Sequence, residues 1–192
     1  MASGQMNPML RVAVIDDVPA LRRLIARSIR RLGAADYSSA QIEAALESAF
    51  GVDTALVHDG TYFVATSIAG DLVACGGWSR RRTLFGSDAR ADRDESWLDP
   101  RTEAAKIRAF FVDPAQARRG LGRAILERSE GEARNAGFTS FALMATLPGV
   151  PFYERCGYVA EEAIIHRLPG GLDIRFVPMS KRAAVAPTAG QA

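Results

Sequence analysis

The chain has 192 residues, 48% of them hydrophobic and 24% charged, a balance that suits one globular domain with a continuous core. Its formal net charge of +2 is too small to mark a nucleic-acid binder, and no apolar run reaches the roughly 18 to 20 residues of a membrane span. Two cysteines, Cys75 and Cys156, make neither a disulfide framework nor a metal site, and the opening MASGQMNPML lacks the basic and apolar regions of a signal peptide, so a cytoplasmic setting is expected.

In chain order, RVAVI (11–15) reads as a strand. Asp16, Asp17 and Pro19 supply the cap, the early negative charge and the first-turn proline of a helix that carries Leu21, Leu24, Ile25, Ser28, Ile29 and Leu32 on one face and stops at Gly33. Ser38 with Gln41 forms a capping box ahead of a second stripe, Ile42, Ala45, Leu46, Ala49 and Phe50. After Asp59-Gly60 the period becomes that of an antiparallel hairpin, TYFVATSIA turning at Gly70-Asp71 into LVACGGW. Residues 79–103 are charged and without sustained period, the kind of long segment that is functional or disordered.

Beyond it, AKIRAFFV (105–112) is a strand, and Leu121 to Ala136 is a helix with Leu121, Ala124, Ile125, Ala133 and Ala136 facing in and Glu130 paired outward with Arg134. SFALMAT (140–146) is a strand, VPFYERC a short helix ended by Gly157, and VAEEAIIH and LDIRFVPM two last strands joined by RLPGG. The fold class is α/β, with a mixed, mostly antiparallel central sheet and a parallel β-α-β crossover at 105–146. A single domain over 11–182 is expected, flanked by flexible tails at 1–10 and 183–192.

The chemistry concentrates at that crossover, in FFVDPAQARRGLGRAI (110–125). A strand turning tightly into a helix leaves the helix's first N–H groups unpaired, with the positive end of the macrodipole behind them. Gly120 and Gly122 bare the backbone, and Arg118, Arg119 and Arg123 add charge, which together make a site for a phosphate or pyrophosphate. A Walker loop is excluded because Arg123 and Ala124 follow Gly122 where lysine and serine or threonine belong, and a dinucleotide fingerprint because Ile125 stands where its third glycine belongs.

ARRGLG (117–122) matches, at both glycines, the Gln/Arg-x-x-Gly-x-Gly/Ala acetyl-coenzyme A motif, and FYERCGY (152–158) matches a second signature, a short helix ending in aromatic-x-x-x-glycine-aromatic. In these motifs, their order and the order of elements, the chain resembles the GCN5-related N-acetyltransferase (GNAT) family from residue 11 to about 180. The resemblance implies an enzyme that takes acetyl-coenzyme A as co-substrate and moves its acetyl group to a primary amine of a small molecule, by direct transfer in a ternary complex. It implies that the pantetheine arm adds like an extra strand to Phe110, Phe111 and Val112, with a backbone N–H near Val112 facing the thioester oxygen. The pyrophosphate would lie on the turn of Arg118, Arg119, Gly120, Leu121, Gly122 and Arg123, with Thr146 nearby, and Tyr153 would protonate the leaving thiolate. Composition, charge and cysteine count lead us to expect a soluble protein with no metal, no nucleic acid and no membrane among its partners, and are compatible with a homodimer.

The match has departures. Ala117 stands where the motif has glutamine or arginine, Thr146 near where many members carry asparagine, and Lys106 where histone-modifying members place a glutamate base, so that base is not carried over. Each residue also has a plainer reading: Tyr153 as packing, Cys156 as a buried structural thiol rather than an acyl carrier, His58 and His166 as turn or surface residues, and Lys106 as a snorkelling edge lysine. Arg80, Arg81 and Arg82 have no interleaved aromatics to make a nucleic-acid patch. Asp88, Asp92, Asp94, Glu95 and Asp99 either attract a cationic amine or form a solvated loop. Two other functions compete: a non-catalytic acyl-coenzyme A sensor of the same fold, and a phosphorylated receiver domain, because VAVIDDVPALRRLI resembles a receiver's start. Against the receiver, Asp53 ends no apolar strand.

Overall fold

A computed structural model of the protein describes residues 9–89 and 94–183. Of the flexible tails expected at 1–10 and 183–192, residues 1–8 and 184–192 lie outside the described residues, as does Asp92 of the charged loop. Met9 and Leu10, expected in a tail, belong to the first strand, β1 (Met9–Val12), opposite Thr66 and Ala65.

Strand β2 (Tyr62–Thr66) shows how the sheet divides the molecule. Its side chains alternate, so Tyr62 and Val64 enter one core while Phe63 and Ala65 enter the other. The first core is closed by Leu21, Leu24, Ile25 and Ile29 of α1 (Val18–Leu32) and Ile42 and Ala45 of α2 (Ser39–Leu46). Leu121, Ile125, Leu126 and Ala133 of α4 (Leu121–Asn135) close the second. Each fully buried leucine or isoleucine contributes about 1.5–3 kcal/mol, so the two amphipathic faces hold the helices to the sheet far more firmly than helix propensity does.

The remaining strands are β3 (Leu72–Ser79), β4 (Ala105–Val112), β5 (Ser140–Thr146), β6 (Val159–Ala160), β7 (Ile164–Arg167) and β8 (Asp173–Arg182). The sheet runs β1-β2-β3-β4-β5-β8-β6, with β7 also on β8. All pairs are antiparallel except β4 with β5, which α4 connects. The mixed sheet and its single parallel crossover are those expected.

Local chemistry shifted several boundaries. The strand expected at 11–15 is β1 instead, because the Asp17 carboxylate accepts the Val14 N–H at 2.9 Å and pairs with Arg11 at 2.6 Å, turning the chain out of the sheet early. That pairing holds the Asp17 carboxyl below the ordinary carboxylate range. Asp17 thus closes a turn, and the described residues contain no cluster of three metal-ligating side chains. The second helix ends at Leu46 rather than Phe50, and a short α3 (Thr54–His58) follows that was not expected, capped by the Asp53 carboxylate on the Ala55 N–H at 3.1 Å.

The charged segment 79–103 is tied down on both arms of its described part. Arg81 pairs with Asp59 at 2.8 Å, Arg82 with Glu103, and Thr83 donates to the Asp94 carbonyl at 2.7 Å. Arg80 lies over the Trp97 ring at 5.1 Å and the Trp78 ring at 5.6 Å. The three arginines are therefore occupied in holding the segment. No described helix is long and apolar enough to cross a membrane.

Candidate active site

The site begins as a fault in the sheet. β4 and β5 are paired only at Ala105 with Phe141 and Lys106 with Ala142, and beyond these residues they part. On its other edge β4 carries a bulge: Cys75 faces Phe111 and Gly77 faces Arg108, so Ala109 and Phe110 together oppose the single residue Gly76. Ala109 takes φ 57°, a left-handed conformation uncommon outside glycine. Its carbonyl accepts from the Tyr62 hydroxyl at 3.1 Å and from the Cys75 thiol at 3.8 Å. Gly76 lets this happen, since a Cβ there would stand 2.7 Å from the Phe110 ring. A bulge bends and twists its strand, and the bend opens a cleft of about 780 Å³ between the ends of β4 and β5.

One limb of the cleft is backbone. Gly120 begins α4 at φ 84° with no side chain capping the helix, so the first amides of α4 face the cleft without an internal acceptor. A Cβ on Gly120 would meet nothing within 4 Å and stand in open space, whereas one on Gly122 would lie 3.4 Å from the Phe152 ring. Gly120 therefore keeps the approach open, while at Gly122 a Cβ would only make ordinary contact with the Phe152 ring. Phe110, Phe111, Val112, Arg118, Leu121, Arg123 and Thr146 line the cleft with the two glycines; Arg119 is exposed and outside the lining. The Val112 N–H, expected to face a thioester, donates to Ser28 Oγ of α1 at 3.3 Å.

Tyr153 stands where the limbs meet, on α5 (Val150–Arg155). Its ring is wedged among Phe110, Phe152 and Tyr158, with centroids 6.3, 4.9 and 5.7 Å away, and is 8% exposed. Burial pushes its phenol well above the ordinary range, so it stays protonated. Tyr158 is anchored in turn: its hydroxyl donates to Glu130 at 3.0 Å, and Lys181 reaches the same carboxylate at 2.8 Å. A residue the sequence reading passed over, Tyr37, ties the neighbouring turn, donating to the Arg175 carbonyl and accepting the Leu147 N–H, both at 2.8 Å. Neither cysteine lines the cleft, and burial pushes the Cys156 thiol up.

The other limb is side chain. Phe50, folded back by its N–H bond to the Ala45 carbonyl at 2.7 Å, meets Phe111 at 6.3 Å and Phe176 at 5.8 Å, and Phe85 meets Phe176 at 5.5 Å. His166 stacks its edge on Phe85 at 5.1 Å, outside the lining. Arg108 is buried against Asp53 at 2.5 Å and donates to the Gly86 carbonyl at 2.9 Å, fixing the 84–86 segment over this limb. Among the described lining residues the charged ones are all arginines. Lys106 and the described acids of 79–103 are elsewhere: burial lowers the Lys106 pKa, Asp88 accepts the Thr54 N–H at 2.9 Å, Asp94 serves Ser96, and Asp99 pairs with Arg101.

Comparison with known proteins places this architecture. The acetyltransferase (GNAT) family model matches residues 25–158. Among solved structures, a GCN5-related N-acetyltransferase from Rhodopseudomonas palustris is similar with TM-score 0.68 and 19% identity, over 95% of this chain and 99% of that one. The PaiA N-acetyltransferase of Thermoplasma acidophilum, in complex with coenzyme A, gives TM-score 0.63 and 15% identity over 92% and 99%. The ribosomal-protein-S18-alanine N-acetyltransferase of Escherichia coli gives 0.56 and 15% over 97% and 100%. No curated protein matches the chain by sequence. The chain belongs to the GNAT family: it is a GNAT-type N-acetyltransferase that uses acetyl-coenzyme A.

Proposed function

We propose that the chain transfers the acetyl group of acetyl-coenzyme A directly to the primary amine of a small molecule, both substrates sharing the one cleft. The observation that carries this reading is the continuity of the cleft, from the open amides of α4 past Tyr153 to the aromatic limb. The α4 end fits the co-substrate: uncapped N–H groups, a helix dipole, the open face of Gly120 and the arginines 118 and 123 all suit a pyrophosphate. The edge of β4 that β5 leaves unpaired at Phe110 and Phe111 suits an amide-bearing arm laid along it, with Thr146 across the gap and the Val112 N–H already held by Ser28.

In the transfer, the amine nitrogen bonds to the thioester carbon, the carbon–sulfur bond breaks, the amine loses a proton to solvent, and the thiolate takes one from Tyr153, which recovers it from water. Direct transfer is supported by the placement of both cysteines outside the cleft, since no thiol is positioned to carry the acetyl group. Initial rates measured while both substrates are varied test the order: intersecting double-reciprocal lines are expected, and parallel lines would point to an acyl-enzyme. The same assay on a peptide with a free N-terminus checks the small-molecule assignment, with small amines expected to be the better acceptors.

A further inference from the structure

Resting on that reading, we infer that the acceptor limb takes an amine with an apolar, ring-sized body and no second cationic group. Phe50, Phe85, Phe111 and Phe176 form its wall, joined by Leu32 and Met144. Such surface stabilises an apolar body in proportion to the area it removes from water. A second ammonium would lose its hydration with no carboxylate to receive it, because no aspartate or glutamate is among the described lining residues. Arg108 does not alter this balance; its charge is matched by Asp53 at 2.5 Å, and it adds no acceptor for a cation.

The matched pair n-hexylamine and 1,6-diaminohexane, which differ only in a terminal ammonium, tests the inference, with n-butylamine and 2-phenylethylamine beside them. Hexylamine should exceed the diamine at least tenfold in kcat/KM, and each methylene from butyl to hexyl should raise kcat/KM about fourfold. Phe85→Asp places a carboxylate on the wall and should narrow the hexylamine-to-diamine ratio. A diamine accepted as well as hexylamine overturns this inference while leaving the proposed function intact. Acetyl-coenzyme A binding without acetylation of any amine overturns the proposed function itself, and this inference with it.

The bulge in β4 carries a second inference. We propose that Tyr62 is a positioning residue, holding the Ala109–Phe110 peptide so that the Phe110 N–H points into the cleft. The two ends of a trans peptide point in opposite directions. With the Ala109 carbonyl fixed on the Tyr62 hydroxyl at 3.1 Å, on the β3 side, the Phe110 N–H is aimed at the gap between β4 and β5. The Val112 N–H is engaged by Ser28, so Phe110 offers the N–H for the oxygen on which negative charge develops. Tyr62 is fully buried and Ala109 sits at φ 57°, a conformation that needs such a restraint.

Tyr62→Phe should lower kcat roughly tenfold, a fraction of the cost of deleting a whole oxyanion donor, with the KM for acetyl-coenzyme A changed less than twofold. Adding Ala109→Gly, which accepts positive φ without a Cβ clash, should recover much of the loss. An unchanged kcat in Tyr62→Phe, or a loss that Ala109→Gly fails to recover, overturns the positioning role.

Discussion

The two limbs of the cleft are built from different material. Toward α4 the surface is main chain: uncapped amides, a bare Gly120 and the free edge of β4. Toward α2 and the 84–86 segment it is side chain, a wall of phenylalanines drawn from four separate parts of the chain. Backbone recognition depends on conformation and on the absence of a Cβ, so it tolerates changes of side-chain charge such as Ala117 in place of a glutamine or arginine. Side-chain recognition has the opposite sensitivity, because its shape and polarity can be altered residue by residue while the fold persists. On the reading proposed above, the limb for the single donor is the conformational one, and the acceptor limb is where specificity can change.

The largest effect should come from breaking the backbone limb. Gly120→Val places a β-branched side chain at φ 84°, in open space at the start of α4. Binding of acetyl-coenzyme A should disappear from calorimetry at millimolar ligand, while circular dichroism and a cooperative melt show the fold retained. The unmodified protein should melt at higher temperature with acetyl-coenzyme A present. Retained affinity in Gly120→Val would reduce the glycine to an ordinary turn residue.

Behind the side-chain limb stands the buried pair of Asp53 and Arg108, with side chains 0% and 2% exposed. Removing one partner leaves a charge in the interior, at a cost of about 3–5 kcal/mol. Arg108→Met should therefore lower the denaturant midpoint sharply. It should also raise the acceptor KM, because Gly86 loses its tether, while the folded fraction binds acetyl-coenzyme A normally. A donor affinity that falls in step with the acceptor's would show that the limbs are not separable in this way.

Tyr153 belongs to both limbs. Tyr153→Phe keeps the packing against Phe110, Phe152 and Tyr158 and removes only the hydroxyl, so turnover should fall about 100-fold, the low end for a general acid facing a good leaving group. The phenol's pKa is raised by burial, so the group keeps its proton from neutral pH up to and beyond pH 10 and contributes no limb to the rate profile there. The pH dependence should follow the ionisation of the acceptor amine, shifting when acceptors of different pKa are compared. Equal rates for the two proteins would leave Tyr153 a packing residue.

The same division explains what could be read in advance. The backbone limb is local: strand, turn, two glycines and helix are contiguous, so Arg118 to Arg123 suggest an anion site by their spacing, while the expected role of Phe110 to Val112 rests on the family resemblance. Tyr153 stands out through a motif that is also contiguous, and its expected role as an acid rests on the family resemblance. The side-chain limb is not local. Phe50, Phe85, Phe111 and Phe176 lie far apart in sequence and carry no shared period, so only tertiary packing reveals that they meet. The bulge at Ala109 left no signal either, since the residue there is alanine where a glycine would have advertised positive φ. In sequence Asp53 comes up only as a receiver's phosphoacceptor and Arg108 not at all, because a buried pair is defined by its partner, 55 positions away.

The smallest effect sharpens the comparison most. Arg118 lines the backbone limb, is exposed, and holds φ 64°, so its charge and its conformation are separate contributions. If the amides carry most of the recognition, Arg118→Ala should weaken acetyl-coenzyme A binding only about two- to fivefold, the scale of an exposed charge, and less at high salt, where a surface charge is screened. Arg118→Gly removes the same charge but also the Cβ that disfavours positive φ, so it should match the alanine variant in affinity while exceeding it in melting temperature. Calorimetry at low and high salt, with melts of both variants, measures the two quantities. A loss of a hundredfold or more in Arg118→Ala would transfer the donor limb from backbone to side-chain recognition and remove the contrast with the aromatic limb.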